Sequence, residues 1–246
     1  ALSETNAYQA AAAHLKKFFP NWIYEIMAIL LGNLCGYPIG GKIISDFVKN
    51  RYILPQTANR ILSLSSQASP MFLIGYVHMH IIKDAIPLPV FLAAIYLPVI
   101  LCYPFFTGFN HDKAERSGSL PKKNFCISDT FLHAVQIMVT IGIYVIIFSI
   151  ILCILLPVCQ HTVLKLLLSF LEITTGLKLL YTLSLPEIIK LPFLCALSSF
   201  GGLCSAFQIK GVLDYPSASI KKYLLDKIFL SAGTFLIIWV YLKFLA

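Results

Sequence analysis

Two glycine-rich segments interrupt apolar stretches at distant points of the chain, and their residue types could bind an anion. The first covers residues 34–42 (LCGYPIGGK), and the second covers residues 200–208 (FGGLCSAFQ). Glycine and proline let the main chain leave helical geometry, which would free N–H groups at the start of the next half-helix. A helix start carries partial positive charge and suits a carboxylate. The alternative is a packing kink, since glycine and proline are frequent in membrane helices.

Polar side chains near these segments are the other candidates for ligand contacts. Lys42 is the last residue of the first segment, and it either attracts an anion or extends toward the membrane surface. Ser65, Ser66 and Ser69 lie in an otherwise apolar stretch, where they either line a polar path or bond to carbonyls of their own helix. The candidate substrate-binding residues are Gly36, Tyr37, Pro38, Gly40, Lys42, Ser65, Ser66, Ser69, Gly201, Gly202, Ser205 and Gln208.

Glu172 is an ionisable residue within an apolar stretch, and such a position indicates function by default. It could carry a coupled proton. Alternatively it caps a helix break at Thr174, Thr175 and Gly176, or it pairs with a lysine such as Lys178. The coupling and the structural roles of Glu172, Thr174 and Thr175 both remain open at this point.

The sequence contains no motif of the usual catalytic or cofactor-binding types. Its seven cysteines form no C-x-x-C pair, and it has no P-loop, no G-x-S-x-G and no H-E-x-x-H. We therefore expect no enzymatic activity, no metal and no cofactor.

Composition indicates a protein embedded in a lipid bilayer. Hydrophobic residues make up 58% of the chain and charged residues only 12%, and the mean hydropathy is +0.81. These values exclude an ordinary soluble domain, in which about a quarter of residues are charged. The net charge of +8 does not indicate nucleic acid, because the cations lie between apolar stretches, where the positive-inside rule puts them.

Continuous apolar runs predict an all-α polytopic membrane protein rather than a β-barrel. The expected spans are 61–83, 88–106, 130–156, 162–183 and 223–245, with broken helices at 21–41 and 188–208. The basic connections 42–60 and 107–128 should be cytoplasmic. If the second broken helix crosses fully, the connection 209–222 lies outside, which conflicts with its lysines. A re-entrant second segment would remove that conflict.

The similar surroundings of the two glycine-rich segments predict an internal repeat. We expect residues 1–106 to form the first repeat, lacking its leading helix and preceded by an interfacial segment. Residues 107–129 would be a basic cytoplasmic loop, and residues 130–246 a connecting span and the second repeat. If the missing helix exists and both broken helices cross, equivalent helices are an odd number of crossings apart, so the repeats would be inverted.

Several of these motifs occur together in one family. The chain resembles the YlbJ-type sporulation integral membrane proteins of the nucleoside-recognition (Gate) domain group. The resemblance lies in GYPIGGKI (36–43), RILSLSS (60–66), SPMFLIG (69–75), EITTG (172–176) and FGG (200–202), and it ends at Gln208. The family is longer at its N-terminus, and it commonly has Ser where this chain has Cys35 and Ala where it has Gly41.

The resemblance implies transport of dipicolinic acid, a small anion, in a bacterial cell membrane, namely the mother-cell-derived membrane around the forespore. Without an ATP motif, transport would be passive, coupled to an ion such as H+ or Na+, or energised by a partner. Expected partners are the lipid bilayer, the anionic substrate, and either a second copy or a sporulation membrane protein. The alternatives are a nucleoside-type carrier of the same architecture and a non-transporting sporulation membrane scaffold.

Overall fold

The structure is a computed structural model that describes residues 22–107, 127–215 and 217–244. All regular elements in these ranges are helices. Four of them are long and apolar enough to cross a membrane: Leu88–Phe106, Ala134–Leu155, Glu187–Val212 and Ile220–Phe244. The predicted all-α class is thereby confirmed, and the four helices support an integral membrane protein. The expected interfacial segment and most of the basic loop 107–129 lie outside the described residues.

The helices are named here in chain order. They are α1 (Ile23–Cys35), α2 (Ile39–Lys49), α3 (Pro55–Ile61), α4 (Pro70–Phe72), α5 (Leu88–Thr107), α6 (Ile127–Leu155), α7 (Thr162–Ser169), α8 (Ile173–Thr182), α9 (Glu187–Phe200), α10 (Gly202–Val212) and α11 (Ile220–Phe244). A π-helix (Leu73–Ile82) continues α4 directly, and a 3-10 turn (Lys83–Ala85) follows it. Only 6% of the apolar stretch Ala134–Leu155 of α6 is buried, as expected of a helix with a face toward lipid.

The helices α1 and α2 fold back on each other as a helical hairpin. Tyr24 near the start of α1 stacks on Tyr52, with ring centroids 4.4 Å apart, and it meets Phe47 edge-to-face at 5.8 Å. Gly36 lies at the tip of the hairpin and adopts a φ of 81°, which favours glycine. The described part of the expected broken helix, residues 22–41, therefore belongs to a hairpin whose two outer ends lie together.

One end of the molecule brings together connections that are distant in sequence. Lys49 at the end of α2 pairs with Asp214, just beyond the end of α10. Asn59 in α3 donates to the carbonyl of Ser217 (2.6 Å). We call this region, defined by Lys49, Asn59, Asp214 and Ser217, the Lys49 end. The basic connections after α2 and after α10 share this end, so the conflict with the positive-inside rule does not arise.

The helices α9 and α10 run from the opposite end of the molecule to the Lys49 end. Leu191 of α9 shares a buried apolar cluster with Ile82 and Leu183. Ile209 of α10 belongs to a second cluster, which contains Phe47. Because α2 and α10 both end at the Lys49 end, the two glycine-rich segments continue in the same direction.

Two expected spans are not continuous helices. The span expected at 61–83 is unwound over residues 62–69, and α4 begins only at Pro70, where Ser69 Oγ accepts from Phe72 N (3.3 Å). The span expected at 162–183 is divided between α7 and α8, and Glu172 caps the second helix. In both places a helix-capping side chain begins a new helix inside an apolar run, which hydropathy alone does not reveal.

Candidate functional site

The unwound stretch 62–69 lies buried against the hairpin of α1 and α2, which supplies hydrogen-bond partners for its main chain. Asn33 Nδ2 donates to the carbonyl of Leu64 (3.0 Å), and Asn33 Oδ1 accepts from Gln67 N (3.3 Å). The main-chain N–H of Tyr37 donates to the carbonyl of Gln67 (3.2 Å). These bonds meet the requirement that unwound main chain at membrane depth be satisfied by protein.

Glycines of the hairpin make this close approach possible. A Cβ added at Gly32 or at Gly40 would lie well inside 3.0 Å of the Ser65 carbonyl oxygen, a separation that real Cβ atoms essentially never show. Gly40, a candidate substrate-binding residue, thus contacts the protein's own main chain. This position agrees with the alternative interpretation of the first glycine-rich segment, in which its glycines serve packing.

The interruption at Gly201 is also satisfied by protein. Gly201 has a φ of 85° and separates α9 from α10. The main-chain N–H of Leu203 donates to the carbonyl of Phe170, and that of Cys204 donates to the carbonyl of Leu171, both at 2.9 Å. The connection between α7 and α8 therefore occupies these two N–H groups. The sequence suggested that such groups would be free for an anion, and for this pair they are not.

The two glycine-rich segments come into contact. A Cβ added at Gly201 would lie 3.0 Å from Cε1 of Tyr37, so the Tyr37 ring packs on this glycine. A Cβ at Gly41 would lie 3.2 Å from Cγ2 of Ile209. Gly202, with a φ of 80°, packs on the connection between α7 and α8.

Lys227 of α11 is fully buried (0% exposed) and bonds to both interrupted regions. Its Nζ donates to the carbonyl of Ser66 (3.0 Å), to Gln67 Oε1 (2.9 Å) and to the carbonyl of Ser199 (2.6 Å). The three acceptors match the three N–H donors of an ammonium group. Within the described ranges no carboxylate pairs with it.

Sequence reasoning missed Lys227 as a site residue. The available signal was a lysine inside the apolar stretch of α11, since an ionisable residue within a span indicates function. Its partners on the unwound stretch are 161 and 160 residues away in sequence, so no local pattern joins them to it.

A cavity of about 330 Å³ lies between α2, α6 and α10. Three of its lining residues, Pro38, Lys42 and Gln208, belong to the candidate set, and together they come from both glycine-rich segments. Gln208 Oε1 is buried and has no hydrogen-bond partner in the described part of the chain. The rest of the lining is Lys49, Gln136, Ile137, Thr140, Ile141, Gly211, Val212, Leu213 and Asp214.

The lysines of the cavity wall are paired with aspartates. Lys42 pairs with Asp46 (3.0 Å), which is not part of the lining. Lys49 pairs with Asp214. The pKa of Asp214 lies below its ordinary value, because Lys49 donates a hydrogen bond to the carboxylate and adds its positive charge. The lining thus contains two lysines and one aspartate, and Asp46 outside the lining balances the charge of Lys42. An anion in the cavity would meet two lysine side chains, each already paired with an aspartate.

The predicted serines use their hydroxyl groups in different ways. Ser65 Oγ donates to the carbonyl of Leu62 (3.1 Å), and Ser205 Oγ donates to that of Gly202 (2.8 Å). Ser69 caps α4. The hydroxyl of Ser66 is buried and lacks a partner among the described residues. Ser66 is therefore the one serine of these four whose hydroxyl makes no hydrogen bond within the described part of the chain.

Glu172 acts as the N-cap of α8, and it is 1% exposed. Its carboxylate accepts from the main-chain N–H of Thr174 (2.9 Å) and of Thr175 (2.7 Å). It also accepts from both threonine hydroxyls, at 2.6 and 2.7 Å. The three residues form a local cap, which is one of the roles left open from the sequence.

We expect Glu172→Ala to lower the free energy of unfolding by about 1–2 kcal/mol, the cost of losing a helix cap. Glu172→Gln retains an acceptor and should lose less. Thermal unfolding of the detergent-purified protein measures both changes. Glu187→Ala is the matched control, because Glu187 is exposed at the start of α9. An unchanged Tm for Glu172→Ala would contradict the capping role.

Comparison with known proteins found no match: no protein-family model, no curated protein and no solved structure is significantly similar to the chain.

Proposed function

We propose that the chain is a membrane transporter of a small anionic metabolite, with dipicolinate as the first substrate to test. The observation that carries the proposal is the cavity of about 330 Å³ between α2 and α10, because both glycine-rich segments contribute to its wall. Lys42 offers a charged donor on the α2 side. On the α10 side, Gln208 Nε2 has one N–H besides the one that it donates to Cys204 Sγ (3.3 Å).

The size and charge of the cavity support a small anion. Its volume is near the lower limit of the roughly 300–1,000 Å³ typical of small-molecule sites. Lys42 and Lys49 of its wall could each exchange an aspartate for a carboxylate of the ligand. The choice of dipicolinate rests on the resemblance of residues 36–43, 60–66 and 69–75 to the YlbJ-type proteins. That resemblance also motivates the proposed location in the membrane around the forespore.

We further propose that the transporter is an inverted repeat, with a pairing different from the one expected at first. In the proposed pairing, α1 and α2 correspond to α7 and α8, the interrupted pair α3 and α4 to α9 and α10, and α5 to α11. The same number of residues separates the starts of α3 and α5 as separates the starts of α9 and α11. Gly201 then corresponds to the unwound stretch 62–69.

The directions of the helices support this pairing. The helix α3 lies at the Lys49 end, where Asn59 bonds to Ser217, whereas α10 ends there. The two interrupted pairs therefore run in opposite directions, as an inverted repeat requires. A pairing of the two glycine-rich segments with each other does not meet this requirement, because α2 and α10 both end at the Lys49 end. Rocking of one repeat against the other would give alternating access, driven by an H+ or Na+ gradient or by the substrate's own gradient.

Uptake by proteoliposomes tests the proposal. We expect saturable uptake of labelled dipicolinate and none of uridine. Lys42→Gln should lower the uptake efficiency by roughly 10-fold or more, because a hydrogen bond from a charged donor is worth about 1.5–3 kcal/mol. Lys221→Gln is the matched control, since Lys221 is exposed on α11.

The other outcomes separate the alternatives. Uptake of uridine alone would replace the proposal with a nucleoside-type carrier. A folded protein that transports neither solute but retains a membrane partner in pull-down would indicate a scaffold.

A further inference from the structure

We propose that Lys227, Ser66, Gln67 and Ser199 form a buried site for one carboxylate group of the transported anion, and that Gln67 yields its contact with Lys227 when the carboxylate binds. This inference rests on the proposed transport of an anion and deepens it. The site is separate from the cavity lining, in which none of the four residues takes part.

The charge of the site calls for one negative group. The Lys227 ammonium is fully buried, and no carboxylate of the described residues pairs with it. A buried charge without a counter-ion is costly, so buried charges in proteins are normally paired. One carboxylate would neutralise the site. A cation such as Na+ would be repelled by the ammonium.

The hydrogen-bonding groups around Lys227 also suit a carboxylate. Ser66 Oγ, Gln67 Nε2 and Ser199 Oγ are buried, and none has a partner in the described part of the chain. Each of these atoms can donate, and each belongs to a residue whose oxygen already accepts from Lys227. A carboxylate has about four acceptor positions and could use the ammonium together with these donors.

Gln67 is the partner of Lys227 that can move. The oxygens of Ser66 and Ser199 that accept from Lys227 are main-chain carbonyls, which the fold holds in place. Gln67 Oε1 belongs to a side chain, so rotation of that side chain can exchange an amide oxygen for a carboxylate oxygen at Nζ. The same rotation presents Nε2 as a donor to the incoming group.

The site lies next to a wall of the cavity. The main-chain N–H of Tyr37 donates to the carbonyl of Gln67, and Pro38, the next residue, lines the cavity. The Tyr37 ring packs on Gly201, two residues after Ser199. An anion that passes Tyr37 from the cavity would therefore reach Lys227.

Gln67→Glu tests the site, because it supplies an internal carboxylate beside Lys227. We expect this variant to have a higher Tm than the wild type. We also expect its affinity for dipicolinate and for benzoate, a probe with a single carboxylate, to be weaker by roughly 30-fold or more. Binding is measured by calorimetry and by the ligand-induced shift in Tm of the purified chain. Gln56→Glu is the matched control, since Gln56 is exposed in α3.

Ser199→Ala provides an independent test if Gln67→Glu folds poorly. It removes only a hydroxyl without a partner, so the Tm should be equal or higher while benzoate and dipicolinate bind roughly 10-fold more weakly. Ser198→Ala should bind normally, because the Ser198 hydroxyl already donates to the carbonyl of Leu194 (2.8 Å).

The outcomes distinguish this inference from the proposed function. If the wild type takes up dipicolinate and the folded variants bind it normally, the inference is wrong and transport stands. If the wild type binds benzoate, loses it in both variants and yet transports no dipicolinate, the carboxylate site stands and the substrate proposal fails.

Discussion

Gly40→Ala is expected to lower the free energy of unfolding by about 3 kcal/mol, at the upper end of the cost of overpacking. The new Cβ would collide with the carbonyl oxygen of Ser65, which is main chain and cannot rotate away. The unwound stretch would have to move, and its bonds to Asn33 and Lys227 would weaken. We expect a Tm lower by roughly 10 °C in detergent and a reduced yield of monodisperse protein.

Gly75→Ala is the control for this substitution. A Cβ at Gly75 meets no atom within 4 Å, so only the gain in helix propensity remains, which stabilises by up to about 1 kcal/mol. If Gly40→Ala has the same Tm as Gly75→Ala but no longer binds substrate, the role of Gly40 is to contact the ligand and not to pack on Ser65.

Gly176→Ala is expected to destabilise the protein by a similar amount, through the helix pair α7 and α8. A Cβ at this position would collide with the carbonyl oxygen of Ser169 in α7. Separation of the two helices would move the carbonyls of Phe170 and Leu171 away from α10, and two buried N–H groups would lose their acceptors. Each buried N–H without a partner costs about 1–3 kcal/mol. Thermal unfolding and hydrogen exchange of the α10 amides measure the effect.

Gly142→Ala in α6 is the matched control, because its Cβ meets nothing within 4 Å. Gly176→Ala should increase hydrogen exchange at Leu203 and Cys204, whereas Gly142→Ala should not. Equal exchange at these two amides in both variants would show that the α7–α8 connection does not protect the start of α10.

The interrupted regions differ from the original expectation in what satisfies their main chain. Glycine and proline composition predicted that the helices break, and it suggested that freed N–H groups would bind the anion. At Gly201 the carbonyls of Phe170 and Leu171 take two of these N–H groups instead. Among the side-chain donors near these regions, Lys227 is distinguished by its complete burial. The proposed carboxylate site therefore depends on how three distant segments pack, which no local motif encodes.

The sequence by itself determined the membrane class, the all-α class and three of the long spans, which correspond to α5, α6 and α11. Hydrophobicity is a sum over residues, so it needs no knowledge of packing. Hydrophobicity did not predict the break between α7 and α8 or the unwound stretch 62–69. The reason is that an apolar run has the same hydropathy whether or not its N–H groups bond within a helix.

Only the tertiary structure decided which segments meet. Tyr37 packs on Gly201, Gly40 packs on Ser65, and Lys227 bonds to Gln67. In each pair, the local sequence around one residue does not predict its contact with the other. The physical reason is that unwound main chain inside a membrane must find partners within the protein, and the partners available are set by how the helices pack.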